Sequence, residues 1–337
     1  MPERLHLRLH PQAAQLVAQR ARLLAALRRH LDERGLLEAD VPALLPHAGQ
    51  ESHLHPPAVQ LAGLPGPLWL QTSPELCLKR LVCAGVPRVY ALGPAWRGGR
   101  EELSTLHQPQ FCMLEWYRPG RSVQELMDDV EALGAAAAAA LEVPAPAARH
   151  ELSVAEAFTR HAGCDLQPLL DGDVPAFARA ARRAGVAGCR DDDDPATAFG
   201  RVLVERLEPA LARLPGWVFL HGYPAFGAAL AQLSPEDPRT ALRVEAFLGG
   251  LEIGNGYVEL ADPGEHRRRW AAERAARSDP PPPVDEGLLS LLEHPGLPPC
   301  IGMALGVDRL MLALLGGGRL ADVLPLSLEL RDDAPRA

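Results

Sequence analysis

The chain has 337 residues, a formal net charge of −9 and 47% hydrophobic against 23% charged side chains, which is the make-up of a folded globular protein and excludes a disordered one. The acidic balance argues against broad nucleic-acid binding, and the length allows about two ordinary domains or one large α/β domain. The longest apolar low-complexity run, Ala135 to Leu141, is far short of the ~20 residues that span a bilayer, so no membrane attachment is expected. The opening Met1-Pro-Glu-Arg-Leu-His6 lacks the apolar core of a signal peptide. Cys77, Cys83, Cys112, Cys164, Cys189 and Cys300 are scattered without a C-x-x-C pair, predicting neither a zinc cage nor a disulfide framework. The expected location is therefore cytoplasmic. Lys79 is the only lysine, and nearly every other cation is arginine, so an arginine is weak evidence here for a special role and the lysine is no evidence of catalysis.

In chain order, Leu16, Leu23, Leu24, Leu27 and Leu31 fall at helical spacing, with Arg20, Arg22, Arg28 and Arg29 on other faces. They predict an amphipathic helix ended by Gly35, followed by a short strand from Leu36 to Pro42. Such a unit serves equally as a dimer contact or as an ordinary α/β opening. Leu68 to Gln71 reads as a strand, and Thr72-Ser-Pro-Glu75 starts a helix, with Ser at the cap, Pro first in the helix and Glu in the first turn. Val89 to Leu92 and Phe111 to Tyr117 read as antiparallel partners around a polar, Gly- and Arg-rich loop of about eighteen residues, a length usually kept for function. Ser122 to Leu141 is helical by propensity. Residues 144–215 alternate small helices with breaks and carry an acidic run, Asp191 to Asp194, read as a solvated loop because consecutive carboxylates do not converge on a metal. Trp217 to Leu220 is a strand, and Val244 to Leu260 is strand-like on both sides of a Gly254-Asn-Gly256 turn. Pro280 to Pro283 marks a surface loop, and Gly302 to Leu315 is a short strand entering a helix.

Three segments carry chemistry. In Ala95 to Tyr117, an arginine leaves a strand, acids and a histidine follow, and Phe111 sits on the returning strand. This set suits a nucleotide triphosphate: guanidinium on phosphate, ring on base, carboxylate on an exocyclic amine. A polar surface hairpin fits the same pattern. In Arg243 to Leu260, Glu245 and Glu252 lie seven apart, which on one continuous strand would place them on opposite faces. A Gly249-Gly250 turn could bring them together for a hard cation bridging phosphates, with Asn255 and Glu259 beyond to hold an ammonium; a hairpin with exposed acids is the alternative. In Gly302 to Leu310, a small-residue strand feeds a helix with Arg309 in its first turn, either an anion site or a plain strand-to-helix junction.

Taken together, the three segments resemble the three signature motifs of class II aminoacyl-tRNA synthetase catalytic domains. Within that class they are most similar to lysyl-tRNA synthetases, and closer still to their short paralogues, the elongation factor P–(R)-β-lysine ligase family. The resembling residues are Thr72-Ser-Pro-Glu75, the Trp96-Arg97 to Tyr117 hairpin, Glu252-Ile-Gly-Asn-Gly-Tyr-Val-Glu259 and Ala304-Leu-Gly-Val-Asp-Arg309, spread from about residue 13 to residue 325. The resemblance implies an α/β (α+β) fold with a mainly antiparallel sheet flanked by helices, as one catalytic domain over residues 1–337 with a helical insertion at about 144–215. The first class II helix begins almost at Met1, leaving no room for the OB-type anticodon-binding domain of bacterial lysyl enzymes. Ala304 also matches the paralogues, where lysyl enzymes usually carry Gly. A homodimer and no stable tRNA binding are expected.

Carried over residue by residue, the resemblance implies that Arg97 holds the α-phosphate of ATP, Phe111 stacks on adenine, His107 reaches the distal phosphates and Arg309 holds the γ-phosphate. Arg97 and Arg309 would be the catalytic pair. Glu245 and Glu252 would bind Mg²⁺ with the phosphates, and Ser73, Glu75, Glu115, Tyr117, Asn255, Glu259 and Ala304 would line the amino-acid pocket. Burial of a diamino acid requires such a cluster of carboxylates on any account. Two features depart from the family pattern. The loop after Arg97 is two residues longer, so Arg97 or Arg100 could take the α-phosphate and Glu101 or Glu102 the adenine. Arg97 is preferred because it follows Trp96 at the strand end, and Glu102 by its distance from His107. The family's His-Asn-Pro-Glu-Phe stands here as His107-Gln-Pro-Gln-Phe111, with a carboxylate lost at Gln110. The expected activity is adenylation of lysine or (R)-β-lysine by ATP and transfer to a lysine of elongation factor P. A ligase with another acceptor and a non-catalytic regulator are the rivals.

Overall fold

The computed structural model describes residues 3–332. The chain opens with a strand, β1 (Glu3–Leu9), followed by the expected amphipathic helix α1 (Ala13–Asp32), whose Leu16, Leu23, Leu27 and Leu31 are buried on one face. The strand expected at Leu36 to Pro42 shortens to β2 (Leu37–Glu38). A small three-stranded sheet follows from β3 (Leu44–Leu45), β4 (Ala58–Val59) and β5 (Leu68–Leu70). Helix α2 (Glu75–Cys83) starts one residue later than the Ser-Pro signal suggests: Pro74 takes the cap position, and Ser73 Oγ accepts the Glu75 N–H at 3.1 Å. Next, β6 (Val89–Trp96) and β7 (Gln110–Pro119) pair antiparallel, from Val89 opposite Tyr117 to Trp96 opposite Gln110. A Ser122–Glu125 capping box then opens α3 (Val123–Leu141).

The segment expected as small helices separated by breaks begins with an edge strand, β8 (Arg149–Ser153). Five short helices follow: α4 (Val154–Ala157), α5 (Gln167–Leu170), α6 (Val174–Arg183), α7 (Pro195–Val202) and α8 (Glu208–Leu211). Its acidic run is engaged locally: Asp194 caps α7, and Asp191 and Asp193 face Arg182 and Arg201 at 2.8 and 3.3 Å. Strands β9 (Trp217–Pro224), β10 (Thr240–Leu248) and β11 (Leu251–Val258) come next, then α9 (Pro263–Ala276) and α10 (Glu286–Leu291). The chain closes with β12 (Cys300–Gly306), α11 (Val307–Leu315) and β13 (Leu326–Asp332).

The turn expected at Gly254-Asn-Gly256 is not one. The chain reverses at Gly249-Gly250, both with positive φ (61° and 81°), as a tight hairpin turn between right-twisted strands requires. Gly254 and Gly256 lie inside β11, where β12 passes so close that a Cβ would come within 2.9 Å of the Ala304 carbonyl and 2.7 Å of that of Gly302. Their lack of side chain serves strand packing.

Eight strands form the main sheet in the order β2-β6-β7-β12-β11-β10-β9-β8, antiparallel except for the parallel edge pairs β2/β6 and β8/β9. This is the mainly antiparallel sheet flanked by helices that the motifs imply. One face packs Leu114, Trp116, Ile301, Met303 and Leu305 against α1, α3 and α11. Asp308, at the start of α11, accepts from Arg20 of α1 and from the Cys112 N–H of β7 (2.7 Å), which fixes that helix end against the sheet. The insertion holds a second apolar cluster around Phe158, Phe177 and Phe199. No helix among the described residues is long and apolar enough to cross a membrane.

Candidate active site

The other face of the sheet floors a cavity of about 530 Å³. Because side chains alternate along a strand, Phe111, Met113, Glu115 and Tyr117 of β7 all point into it, joined by Gly302, Ala304 and Gly306 of β12 and by Asn255 and Tyr257 of β11. The ladders align these in rows: Asn255 opposite Ala304 opposite Glu115, and Tyr257 opposite Gly302 opposite Tyr117. Gly302 is required at its place, since a Cβ there would lie 2.4 Å from Glu259 Oε1 and 2.5 Å from the Tyr117 ring. From the walls come Ser73 and Glu75 at the start of α2, Arg97, Glu102 and His107 of the loop, Glu245 and Glu252 of the β10–β11 hairpin, Glu259 and Arg309. The cavity thus gathers every site residue expected from the sequence except Arg100, whose side chain lies outside the described residues.

At one end the groups are cationic. The Arg97 guanidinium sits over the Phe111 ring, 5.1 Å from its centroid, and its Nε is buried without a protein partner among the described residues. Arg309 donates to the carbonyl oxygens of Glu252 (3.1 Å) and Leu106 (3.4 Å), and its Nη2 lies 2.6 Å from His107 Nε2. Burial first, then Arg309 and Arg97, pull His107 down to about 4, so its ring is neutral and Nε2 accepts from Arg309. Its Nδ1 must then carry the proton, donated to Ser104 Oγ at 3.0 Å. Both ring nitrogens of His107 are engaged, Nε2 with Arg309 and Nδ1 with Ser104.

The hairpin brings Glu245 and Glu252 to the same cavity. A bulge, with Ala246 opposite Gly254 and Phe247 opposite Glu252, leaves Ile253 without a partner across the ladder. Glu245 accepts from the Tyr223 hydroxyl and from Arg243, a residue not singled out in the sequence. The Glu252 side chain, 44% exposed to the cavity, lies 3.8 Å from Arg309. Its carboxyl is pushed up to about 7, by its low-dielectric surroundings first and by Glu245 second. The described residues contain no cluster of three or more metal-ligating side chains.

At the other end the groups are anionic. Glu115 accepts from Ser73 Oγ and from the Tyr117 hydroxyl (2.7 Å), and burial followed by Glu75 pushes it up to about 8. Glu259 is pushed up to about 7 by burial, and its Oε1 has no protein partner among the described residues. Glu51, absent from the sequence expectations, joins them: burial and then Glu75 raise it to about 7, and its Oε2 is likewise unpartnered. Lys79 is fully buried between Glu75 Oε1 (2.6 Å) and Glu259 Oε2 (2.8 Å). Asn255 Nδ2 donates to the Tyr257 hydroxyl at 3.0 Å. Lys79 could have been noticed from its i,i+4 spacing to Glu75, and Tyr257 from its place between Asn255 and Glu259 on one strand face. Nothing local signals Glu51.

The family model of class II tRNA synthetases (D, K and N) matches residues 3–328. The curated relatives include the elongation factor P–(R)-β-lysine ligase of Pectobacterium carotovorum, 37% identical over 321 residues that cover 92% of this chain and 94% of that protein. The proteins of the same name from Edwardsiella ictaluri and Yersinia enterocolitica are each 36% identical, covering 92% and 91% of this chain and 94% and 93% of their own. The chain belongs to the elongation factor P–(R)-β-lysine ligase family, within the class II tRNA synthetases. Membership makes it an enzyme of the ligase type that uses ATP, and in this ligase the cationic end of the cavity has the chemistry of a phosphate site, the anionic end that of an ammonium site.

Proposed function

We propose that this ligase adenylates (R)-β-lysine, or α-lysine, and passes the acyl group to a lysine side chain of elongation factor P; its relatives' names give elongation factor P and (R)-β-lysine as what they join. The observation that carries the reading is the surplus of acid around Lys79: Glu75 and Glu259 pair with it, Glu115 lies within its field, and Glu51 adds a further buried carboxyl beside Glu75. Buried carboxylates need partners, and a diamino acid brings two ammonium groups on one short chain. The adjoining arginines fit a triphosphate. The substrate carboxylate would attack the α-phosphorus in line, forming a P–O bond as the bond to the β-phosphate oxygen breaks and pyrophosphate leaves. The ε-amine of the acceptor would then attack the acyl carbon, forming C–N, expelling AMP and losing one proton. No protein nucleophile is needed; Arg97 and Arg309 hold the phosphates in place and offset the charge that develops on them.

Magnesium fits the hairpin. Glu252 offers hard oxygens with no cation among the described residues nearer than Arg309, and burial first and Glu245 second raise its pKa, both of which a divalent ion would offset. When bound, the ion would neutralise phosphate charge, held by Glu252 with Glu245 behind it. A homodimer is supported by an exposed apolar ladder on the β1/β13 ribbon, where Leu5, Leu7 and Leu9 stand opposite Leu330, Leu328 and Leu326. The free state of all six cysteines supports a cytoplasmic setting, and the acidic charge supports a ligase that does not grip tRNA.

The test is ATP–pyrophosphate exchange with (R)-β-lysine, α-lysine or neither, followed by mass spectrometry of elongation factor P incubated with enzyme, ATP and the active isomer. Exchange that depends on a lysine isomer, with the matching mass added to the acceptor, is the expected result. Exchange with no isomer would overturn the reading.

A further inference from the structure

Lys79 belongs to no part of the reaction, yet it sits between two walls of the amino-acid end. On α2 it lies one turn after Glu75, the favourable order for an i,i+4 pair. At the surface such a pair contributes only a few tenths of a kcal/mol. Lys79 is instead 0% exposed and spans to a second element, reaching Glu259 at the end of β11. Glu259 is itself anchored, its N–H donating to the Cys300 carbonyl at 3.0 Å. The Tyr117 ring lies 6.0 Å from Nζ. Burial alone would lower the ammonium's pKa, but Glu259 and then Glu75 more than reverse this and hold it above its ordinary value. His266 beside it is kept neutral, at about 4, by burial first and by the Lys79 charge second.

We propose that Lys79 is a positioning residue for amino-acid recognition: one buried ammonium ties Glu75 and Glu259 together at the pocket end and takes up one unit of its negative charge. Each of the two carboxylates keeps one oxygen for the substrate. Without the tie, two buried acids would face each other, and one would protonate or turn away. The inference rests on the reading of this end as the site of a lysine-type substrate. It adds that the site's affinity depends on an internal lysine that the substrate never has to touch.

The experiment is lysine-dependent ATP–pyrophosphate exchange on the full chain, with Lys79→Arg and Lys79→Met beside the wild type. Arginine keeps the charge but spreads it over a wider planar fork. For Lys79→Arg we expect the KM for the amino acid to rise about tenfold, with kcat and the KM for ATP within about threefold; for Lys79→Met, about a hundredfold rise. If Lys79→Met does not fold, Lys79→Arg carries the test. An unchanged amino-acid KM in a folded variant, or a fall in kcat alone, overturns the positioning role and leaves the proposed function standing. Absence of exchange in the wild type with every lysine isomer overturns the proposed function instead, and this inference with it.

Discussion

Arg97, Arg243 and Arg309 line the cavity with the Glu245–Glu252 hairpin, whereas Glu75, Glu115 and Glu259 line it around Lys79, with Glu51 between Arg97 and Glu75. The two ends manage buried charge differently. Arg309 is aimed mainly by neutral partners, two backbone carbonyls and an imidazole, with the Glu252 carboxylate farther off at 3.8 Å. Hydroxyl donors and one lysine stabilise charge on some of the acids, but burial and neighbouring carboxylates outweigh them and push several up to about 7 or 8. A cation site built on neutral partners stays charged whether or not anything binds. An acid cluster with too few counter-charges changes its protonation when an ammonium arrives.

The largest effect should come from breaking the cationic end. Arg309→Ala removes a full charge at the phosphates and should lower kcat/KM in pyrophosphate exchange about 10³-fold. His107→Ala, which only releases Arg309, should cost less, about tenfold to 10²-fold. A larger loss from His107 than from Arg309 would mean that the imidazole touches the nucleotide itself.

At the acidic end, Glu115→Gln should raise the amino-acid KM about 10²-fold and leave the KM for ATP nearly unchanged. An equal rise in both constants would erase the division of labour between the ends.

A smaller effect separates them by pH. Glu115 at about 8 and Glu51 and Glu259 at about 7 leave the empty acidic end partly protonated at neutral pH. Binding of a diammonium substrate should therefore release about one proton at pH 7, fading above pH 8. Calorimetry in two buffers of different ionisation enthalpy, with the amino acid as titrant and no nucleotide present, reads this directly. These carboxyls have folded values above their ordinary 4.5, so the folded state binds the extra protons. Their contribution to stability is full below about pH 4.5 and is lost as the pH rises through 7 to 8. The free protein should lose thermal stability across that window, and lysine should restore part of it.

The smallest effect lies outside the cavity. Asp194→Ala removes the cap of α7 and should cost about 1 kcal/mol in denaturant unfolding, with exchange kinetics unchanged.

Much of the sheet was legible because it rests on local signals. Val89 to Leu92 and Phe111 to Tyr117 are short apolar runs on either side of a polar loop, and that loop's length and its arginines, acids and histidine mark it as a candidate site. The motifs single out Glu115, Asn255 and Ala304, but their alignment in one row was not legible, because Asn255 reads as part of a turn. What could not be read depends on distant partners. The β1/β13 ribbon joins residues 3–9 to residues 326–332, and neither strand carries a turn signal toward the other. Gly254-Asn-Gly256 has the composition of a turn, but its glycines answer to the close passage of β12. Lys79 gave no hint of its second partner, Glu259, and Glu51 sits in a stretch without periodicity.

The lone lysine has one more consequence. An acyl adenylate reacts with any free primary amine it meets, and an enzyme that makes one near its own lysines becomes its own acceptor. Here the only ε-amine in 337 residues is fully buried between two carboxylates, and the rest of the basic surface is arginine, which stays protonated and is a poor nucleophile. Lys79 is therefore withheld from an escaping acyl group, and self-acylation at the chain's one ε-amine is disfavoured.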